Sequence, residues 1–142
     1  MKKVMVFGTF DIFHQGHINF LQQARREGDF LIVVIAQDET VKKIKKRKAQ
    51  NSARKRLLVV KNSQLADKVI LGNLGDKYAV IKKYQPDVIC LGYDQEAFID
   101  KLKDKLKQFG LEKTQIKKMK PFHPEKYKSS RLGCLLDKKR LK

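Results

Sequence analysis

The sequence is poor in cysteine and lacks long apolar runs, and these shortages exclude whole classes of protein. Its two cysteines, Cys90 and Cys134, lie far apart and form no metal-binding motif. Cys90 falls within the apolar run 87–92, where a buried structural thiol is expected. No stretch reaches the roughly 20 apolar residues of a membrane-spanning helix. A chain of this length can build one ordinary domain without crosslinks, and we expect residues 1–142 to form it.

Acidic residues are also scarce. The chain has 33 lysines and arginines against 15 aspartates and glutamates, which gives a formal net charge of +18. Such a field attracts nucleic acid, nucleotides or anionic membrane surfaces, and the charge alone does not choose among them. Solvated helix faces in a lysine-rich chain would account for most of these side chains equally well. Met1, Lys2 and Lys3 lead into the first apolar run without a cleavable signal pattern, so we expect a cytoplasmic location.

Short apolar runs alternate with segments of helical periodicity along the chain. Predicted strands are 3–8, 30–36, 68–71, 87–91 and a weak edge strand at 114–118; predicted helices are 17–27, 53–64, 77–84, 95–109 and 129–140. This alternation predicts an α/β fold with a doubly wound parallel sheet. Run 30–36 is apolar at consecutive positions, and we expect it to be the central strand. Ligands of such sheets bind at the carboxyl ends of the strands, here after Phe7, Ala36 and Leu91.

The loop after the first strand has the clearest chemical pattern, with His14 and His17 on either side of Gly16. We expect His17 to open the helix that follows. The free backbone N–H groups of a first helical turn and the helix dipole favour an anion, and Gly16 would let a phosphate approach the backbone. Two imidazoles there could donate hydrogen bonds to phosphoryl oxygens during an in-line displacement. The loop therefore predicts phosphoryl-transfer chemistry that needs no nucleophilic side chain.

Segment 8–17 resembles the motif Gly-Thr-Phe-Asp-x-x-His-x-Gly-His of the cytidylyltransferase-like nucleotidyltransferases, with all seven fixed positions present. The resemblance implies a single Rossmann-like domain that transfers a nucleoside monophosphate from a nucleoside triphosphate to a phosphorylated acceptor and releases pyrophosphate. It also implies ATP or CTP as one substrate, Mg²⁺ accompanying the triphosphate, and a possible homodimer.

The same resemblance assigns the residues of the site. It implies catalytic roles for His14, His17 and Lys45, and nucleotide-binding roles for Gly8, Thr9, Phe10, Asp11, Gly16, Arg56, Asp94, Ser129 and Ser130. No residue is assigned as a metal ligand. Taken without the resemblance, Lys45 and Lys48 could belong to a solvated basic loop, and Asp94 could form a turn. Ser129 and Ser130 could likewise be a plain helix N-cap.

Two further segments favour one branch of the family. Gly92-Tyr93-Asp94-Gln95 is similar to the archaeal-type FAD synthetases, which transfer AMP from ATP to FMN, and Ile44 within the basic segment fits that branch. Stretch 123–128 lacks the arginine of the Arg-Thr-Glu-Gly element of cytidylyltransferases. Ala49 replaces a proline common after the basic segment, which leaves the shape of the acceptor pocket open. We therefore expect FMN adenylylation, with glycerol-3-phosphate cytidylylation and ADP-sugar formation as alternatives.

A different class of function is a basic nucleic-acid-binding module that has kept the fold and lost catalysis. The net charge of +18 favours it. Against it, a paired-histidine motif has no evident use in binding a phosphate backbone, and the chain lacks the aromatic platforms on which single-strand binders stack bases. Neither nucleic acid nor a membrane is therefore the expected partner.

Overall fold

The computed structural model describes residues 1–39, 41, 50–73, 78–92 and 96–119, and of residues 96–100 the backbone alone. Strands and helices alternate through this part of the chain. They are β1 (Lys3–Gly8), α1 (Gln15–Arg25), β2 (Phe30–Ile35), α2 (Ala53–Asn62), β3 (Lys68–Leu71), α3 (Ala79–Tyr84), β4 (Val88–Leu91), α4 (Glu96–Gln108) and β5 (Gln115–Lys118). None of the helices described is both long and apolar enough to cross a membrane. The predicted helix 129–140 lies outside the described residues.

The five strands form one parallel sheet in the order β3-β2-β1-β4-β5. The predicted α/β doubly wound fold is confirmed, whereas the extent of the domain to residue 142 stays a prediction. The prediction of a central position for run 30–36 is wrong, because β1 lies at the centre of the sheet and β2 beside it. A continuous apolar run reports burial on both faces, and the inner strands β2, β1 and β4 share that property.

Helices cover both faces of the sheet, and side chains alternate between two cores along each strand. Val4 and Val6 pack with Leu21 of α1 and Val60 of α2 on one face. The opposite core holds Met5 and Phe7 of β1 together with α3 and α4; those helices contribute Val80, Ile81, Leu102 and Leu106. Both layers therefore anchor β1 firmly, and with it the loop that follows.

The predicted burial of Cys90 is confirmed, since its side chain is fully enclosed in the core of the α1 and α2 face. Burial raises the pKa of its thiol to about 12. The thiol therefore stays protonated near neutral pH and is inert as a nucleophile.

The strand order reverses direction between β1 and β4, which are paired through Val6 and Cys90. From β1 the chain proceeds through α1 to β2 on one side, while β4 and β5 lie on the other side. At such a switch point the connecting segments diverge and leave a crevice beyond the carboxyl ends of the two strands. The loop that starts at Gly8 begins at this crevice.

Candidate functional site

His14 and His17 cap helix α1 reciprocally. The backbone N–H of Gly16 donates to Nδ1 of His14 over 3.0 Å, and the backbone N–H of His14 donates to Nδ1 of His17 over 3.3 Å. The helix begins at Gln15 with His14 as N-cap, so the expectation that His17 opens the helix is wrong by two residues. Sequence patterns do not predict this cap, because histidine is an unusual N-cap and serine, threonine, aspartate or asparagine normally takes that position.

This capping decides which ring nitrogen carries the proton. Because Nδ1 of His14 and Nδ1 of His17 each accept a backbone N–H, the neutral form of each ring holds its proton on Nε2. Burial lowers the pKa of His14 and so favours this neutral form. Nε2–H of His14 is then a hydrogen-bond donor near neutral pH without a net charge on the ring.

The reciprocal cap also changes the anion site expected at this helix. The backbone N–H groups of His14 and Gly16 are bonded to imidazole nitrogens and are not the free donors that the sequence predicted. The imidazole rings therefore replace these two backbone groups as donors that the N-terminus of α1 can offer to a phosphoryl group.

Aromatic rings surround the His17 imidazole. Phe13 stacks on it with ring centroids 5.7 Å apart and an angle of 15° between planes, and Phe10 meets it edge-on at 5.2 Å. Phe10 is buried and has a positive φ of 52°, an uncommon conformation for a bulky residue. A Cβ atom on Gly8 would lie 2.5 Å from the Phe10 ring, so glycine is needed where β1 ends. The conformation of the loop backbone thus places the Phe10 ring edge-on against the His17 imidazole.

Arg56 lies in α2 and is 1% exposed. Its guanidinium reaches three carbonyl groups and one carboxylate. Nη1 donates to the carbonyl oxygens of Thr9 and Ala36, each over 2.9 Å, and Nε donates to that of Asn51 over 3.0 Å. Nη2 donates to Oδ1 of Asp38 over 2.9 Å. Arg56 therefore joins the segments that follow β1 and β2 to the start of α2.

Asp11 binds the same region from the loop side. Its carboxylate accepts the backbone N–H of Gln50 over 2.8 Å and that of Asn51 over 2.9 Å. The side-chain amide of Asn51 donates in turn to the carbonyl oxygen of Asp11 over 2.7 Å. These bonds fasten the loop after β1 to the residues directly ahead of α2.

The structure brings most of the predicted site residues to one end of the sheet. Residues that the structure places there are Gly8, Thr9, Phe10, Asp11, His14, Gly16, His17 and Arg56. Predicted residues Lys45, Asp94, Ser129 and Ser130 lie outside the described residues. Nucleotide contact by any of them stays a prediction.

Three residues of this region were missed by sequence reasoning, namely Phe13, Asp38 and Asn51. Phe13 occupies a variable position of the motif, and its stacking on His17 depends on ring geometry that no sequence pattern encodes. Asp38 follows β2 by three residues and Asn51 precedes the N-cap Ser52, so their partnership with Arg56 appears only when the strands are assembled.

The described residues contain no group of three histidine, cysteine, aspartate or glutamate side chains that could hold a metal ion. The carboxylate of Asp11 accepts the backbone N–H groups of Gln50 and Asn51, and that of Asp38 accepts the backbone N–H of Ala53 and Nη2 of Arg56.

Comparisons with known proteins agree with this geometry. Residues 5–132 match the model of the family described as cytidylyltransferase-like. A protein of Pyrococcus horikoshii named FAD synthase is 42% identical over 131 residues, which cover 92% of this chain and 88% of that protein. A protein of the same name from Ferroglobus placidus is 41% identical over 111 residues, 78% of this chain and 72% of that one.

Among solved structures, the lipopolysaccharide core biosynthesis protein of Thermoplasma volcanium has a TM-score of 0.80 and 33% identity, covering 86% of this chain and 98% of that chain. The reciprocally capped histidine pair, the parallel sheet that presents it and the family match over residues 5–132 lead to one conclusion. This chain belongs to the cytidylyltransferase-like family of nucleotidyltransferases.

Proposed function

We propose that this nucleotidyltransferase adenylylates FMN: it transfers AMP from ATP to the phosphate of FMN and releases pyrophosphate. The observation that carries the reaction type is the pair of imidazoles at the carboxyl end of β1, each with Nδ1 held by a backbone N–H. The observation that favours FMN is the identity of 42% with a protein named FAD synthase over 92% of this chain.

In the proposed reaction, a phosphate oxygen of FMN attacks the α-phosphorus of ATP. A new P–O bond forms while the bond between the α-phosphorus and the bridging oxygen breaks, and pyrophosphate leaves. Nε2–H of His14 and of His17 donate to phosphoryl oxygens as charge develops on them. Neither ring needs to take up or release a proton, since both sides of the displacement are phosphate oxygens.

The remaining predicted roles belong to the same proposal. Gly8, Thr9, Phe10 and Gly16 shape the nucleotide side of the crevice, with the buried Phe10 acting through the loop backbone and through His17. Lys45 steadies the acceptor phosphate. Contacts with the nucleotide are expected from Asp94, Ser129 and Ser130.

Mg²⁺ is expected to arrive with the triphosphate. It usually keeps several waters and binds phosphate oxygens together with one or two carboxylates, so a cage made entirely of protein groups is not required. A cytoplasmic location and a homodimer complete the proposal.

The decisive experiment compares pyrophosphate release for two substrate pairs, ATP with FMN and CTP with glycerol 3-phosphate, in the presence of Mg²⁺. A wrong base that leaves one buried polar group unpaired costs about 1–3 kcal/mol, or roughly a ten- to hundredfold loss in rate. We expect FAD and pyrophosphate from the first pair and a much slower reaction with the second. Preference for CTP would contradict FMN adenylylation and leave the family assignment standing.

A control with His17→Ala, in which pyrophosphate release should fall by about 10²–10³, ties the measured activity to this site. A variant as active as the wild-type protein would contradict the proposed role of the histidine pair. ADP-sugar formation is tested in the same assay with ATP and a sugar 1-phosphate as acceptor.

A further inference from the structure

The guanidinium of Arg56 has little capacity left for a ligand. A guanidinium has five N–H groups, and four hydrogen bonds in the structure already occupy Nε, Nη1 twice and Nη2. The side chain is 1% exposed. One N–H group of Nη2 remains, and to bind a triphosphate with more than that group Arg56 would have to leave carbonyl groups of the loops after β1 and β2, which would then lie unpaired near the crevice.

The charge of Arg56 also has an anionic partner within the chain, the carboxylate of Asp38, whose side chain is 59% exposed. The backbone N–H of Ala53 and then the guanidinium of Arg56 hold the pKa of Asp38 below its ordinary value, so this carboxylate is ionised near neutral pH. It lies 2.9 Å from Nη2 of Arg56. The positive charge of Arg56 therefore has a partner before any phosphate arrives.

The carboxylate of Asp11 is likewise hydrogen-bonded within the protein. This carboxylate would repel a triphosphate, yet Asp11 lies in the loop to which the proposed function assigns the nucleotide. Its two carboxylate oxygens are taken by the N–H groups of Gln50 and Asn51. These bonds turn the carboxylate towards the protein's own backbone.

Asn51 links the two residues. Its side-chain amide binds the carbonyl oxygen of Asp11, and its own carbonyl oxygen accepts from Nε of Arg56. Asp11, Asp38, Asn51 and Arg56 thus form one connected hydrogen-bond network, hereafter the loop clamp. It ties the segment 9–11, the end of β2 and the start of α2 to one another.

We propose that the loop clamp positions the nucleotide-binding loop, and that Asp11 and Arg56 act as positioning residues rather than as ligands of the triphosphate. Arg56 holds the carbonyl of Thr9, and Asp11 holds the other end of the same short segment. Between them lies Phe10, whose ring contacts His17. The clamp therefore acts on His17 through Phe10. This inference rests on the proposed function, because it assigns the network a part in the same reaction.

A double-mutant cycle separates positioning from direct binding. Asp11→Ala, Asn51→Ala and Arg56→Lys are prepared singly, together with the double variants Asp11→Ala/Asn51→Ala and Asp11→Ala/Arg56→Lys. If all three residues act through one network, kcat falls about five- to tenfold in Asn51→Ala, and each double variant is about as slow as its slower parent. Independent ligands would instead give effects that multiply, and this result would overturn the proposal.

Binding of ATP and of AMP without acceptor gives a second, independent readout. A residue that binds the β- and γ-phosphates contributes to ATP affinity and not to AMP affinity. A positioning residue alters both by a similar factor, so the ratio of the two dissociation constants should stay within about twofold of the wild-type value in every clamp variant. A fall of tenfold or more in ATP affinity alone, seen in Arg56→Lys, would identify Arg56 as a phosphate ligand and reject the proposal.

Two matched controls separate loss of the loop clamp from general effects of a substitution on folding. Arg25→Lys shortens an arginine that binds Asp67 away from the crevice, and Asn19→Ala removes a side-chain hydrogen bond to Gln23 on α1. Both should turn over like the wild-type protein. Asn51→Ala is the key single variant should Arg56→Lys fail to fold, because Asn51 is only partly buried. An Asn51→Ala protein with wild-type kcat would contradict the clamp.

The test does not depend on FMN. Failure of the wild-type protein to form FAD would remove the proposed acceptor, whereas the ATP and AMP affinities would still decide whether Arg56 binds phosphate. Conversely, an active FAD-forming enzyme whose variant effects multiply would keep the proposed function and reject the clamp.

Discussion

The imidazole rings of His14 and His17 are stacked with centroids 3.9 Å apart and an angle of 24° between their planes. Two imidazolium rings in this position would repel each other, and protonation at Nδ1 would also remove the acceptor that each ring offers to a backbone N–H. The stack and the cap therefore favour the same neutral state, with the proton on Nε2. One arrangement fixes the start of α1 and prepares two donors for a phosphoryl group.

Substitution of His14 can separate capping from catalysis. Asparagine is a good N-cap, so His14→Asn should keep the start of α1, but it has no donor at the position of Nε2. We expect turnover to fall by about 10²–10³. His14→Ala should lose as much activity and, in addition, about 0.5–2 kcal/mol of stability. Steady-state kinetics and urea unfolding of the two variants measure the two effects, and a fully active His14→Asn protein would show that Nε2 is not needed.

The lowered pKa of His14 predicts a dependence of stability on pH. The unfolded chain binds a proton at this ring near its ordinary pKa of 6.5, and the folded protein binds it only at lower pH. Between those two values the unfolded state holds more protons, so the free energy of unfolding falls as the pH falls. The contribution of His14 to the free energy of unfolding is complete above pH 6.5 and is lost as the pH drops through the pKa of His14 in the folded state.

Urea unfolding between about pH 7.5 and pH 5 measures this dependence, with His14→Asn as control. The control has no titratable side chain at position 14 and should lose less stability over the same interval. Asp38 and Asp67 do not contribute to this dependence. Their pKa values are 3.8 in the ordinary state and lower in the folded protein, so both carboxylates titrate below the pH interval that is measured. Equal pH dependence in the two proteins would exclude His14 as its source.

Much of the fold could be read from the sequence because it depends on local patterns. Strands β1 to β4 were each predicted from a short apolar run, β5 was expected as a weak edge strand, and α1 was placed after Gly8 from helical spacing. The central strand was misassigned because burial on both faces is common to β1, β2 and β4, and only pairing distinguishes them. The motif located the histidine pair, but the role of Nδ1 in capping requires coordinates.

The sequence was less informative about Arg56 and Asp11. The guanidinium of Arg56 is suited to bind phosphate, and the motif suggests that Asp11 contacts the nucleotide. Both residue types are equally suited to bind backbone groups of the protein itself. The distinction depends on long-range contacts, such as the one between Arg56 and Thr9, which are 47 positions apart in the chain. No local pattern reports such a contact.

Phe13 should matter for turnover although its motif position is variable. Its ring lies almost parallel to that of His17, and such ring pairs contribute about 0.5–1.5 kcal/mol beyond the area they bury. If Phe13→Ala frees the imidazole to turn, kcat should fall roughly two- to tenfold while the dissociation constant of ATP changes little. Phe13→Leu keeps the bulk without the flat ring and should give an intermediate value. Unchanged kcat in Phe13→Ala would show that capping alone orients His17.

Gly8 offers the sharpest steric prediction. A methyl group on Gly8 would lie 2.5 Å from Cε2 and 2.8 Å from Cζ of Phe10, closer than real contacts allow. The Phe10 ring is buried in the core, so it cannot move aside without disturbing His17, which it meets edge-on. Gly8→Ala should therefore cost about 1–3 kcal/mol in stability and should also lower turnover.

Gly72→Ala is the matched control. Gly72 directly follows β3, and its added methyl would lie 3.4 Å from Val34, an ordinary contact. We expect the control to keep wild-type stability and activity. Thermal unfolding together with pyrophosphate release compares the two variants, and a Gly8→Ala protein that matches Gly72→Ala in both would mean that the Phe10 ring is not fixed by its contact with Gly8.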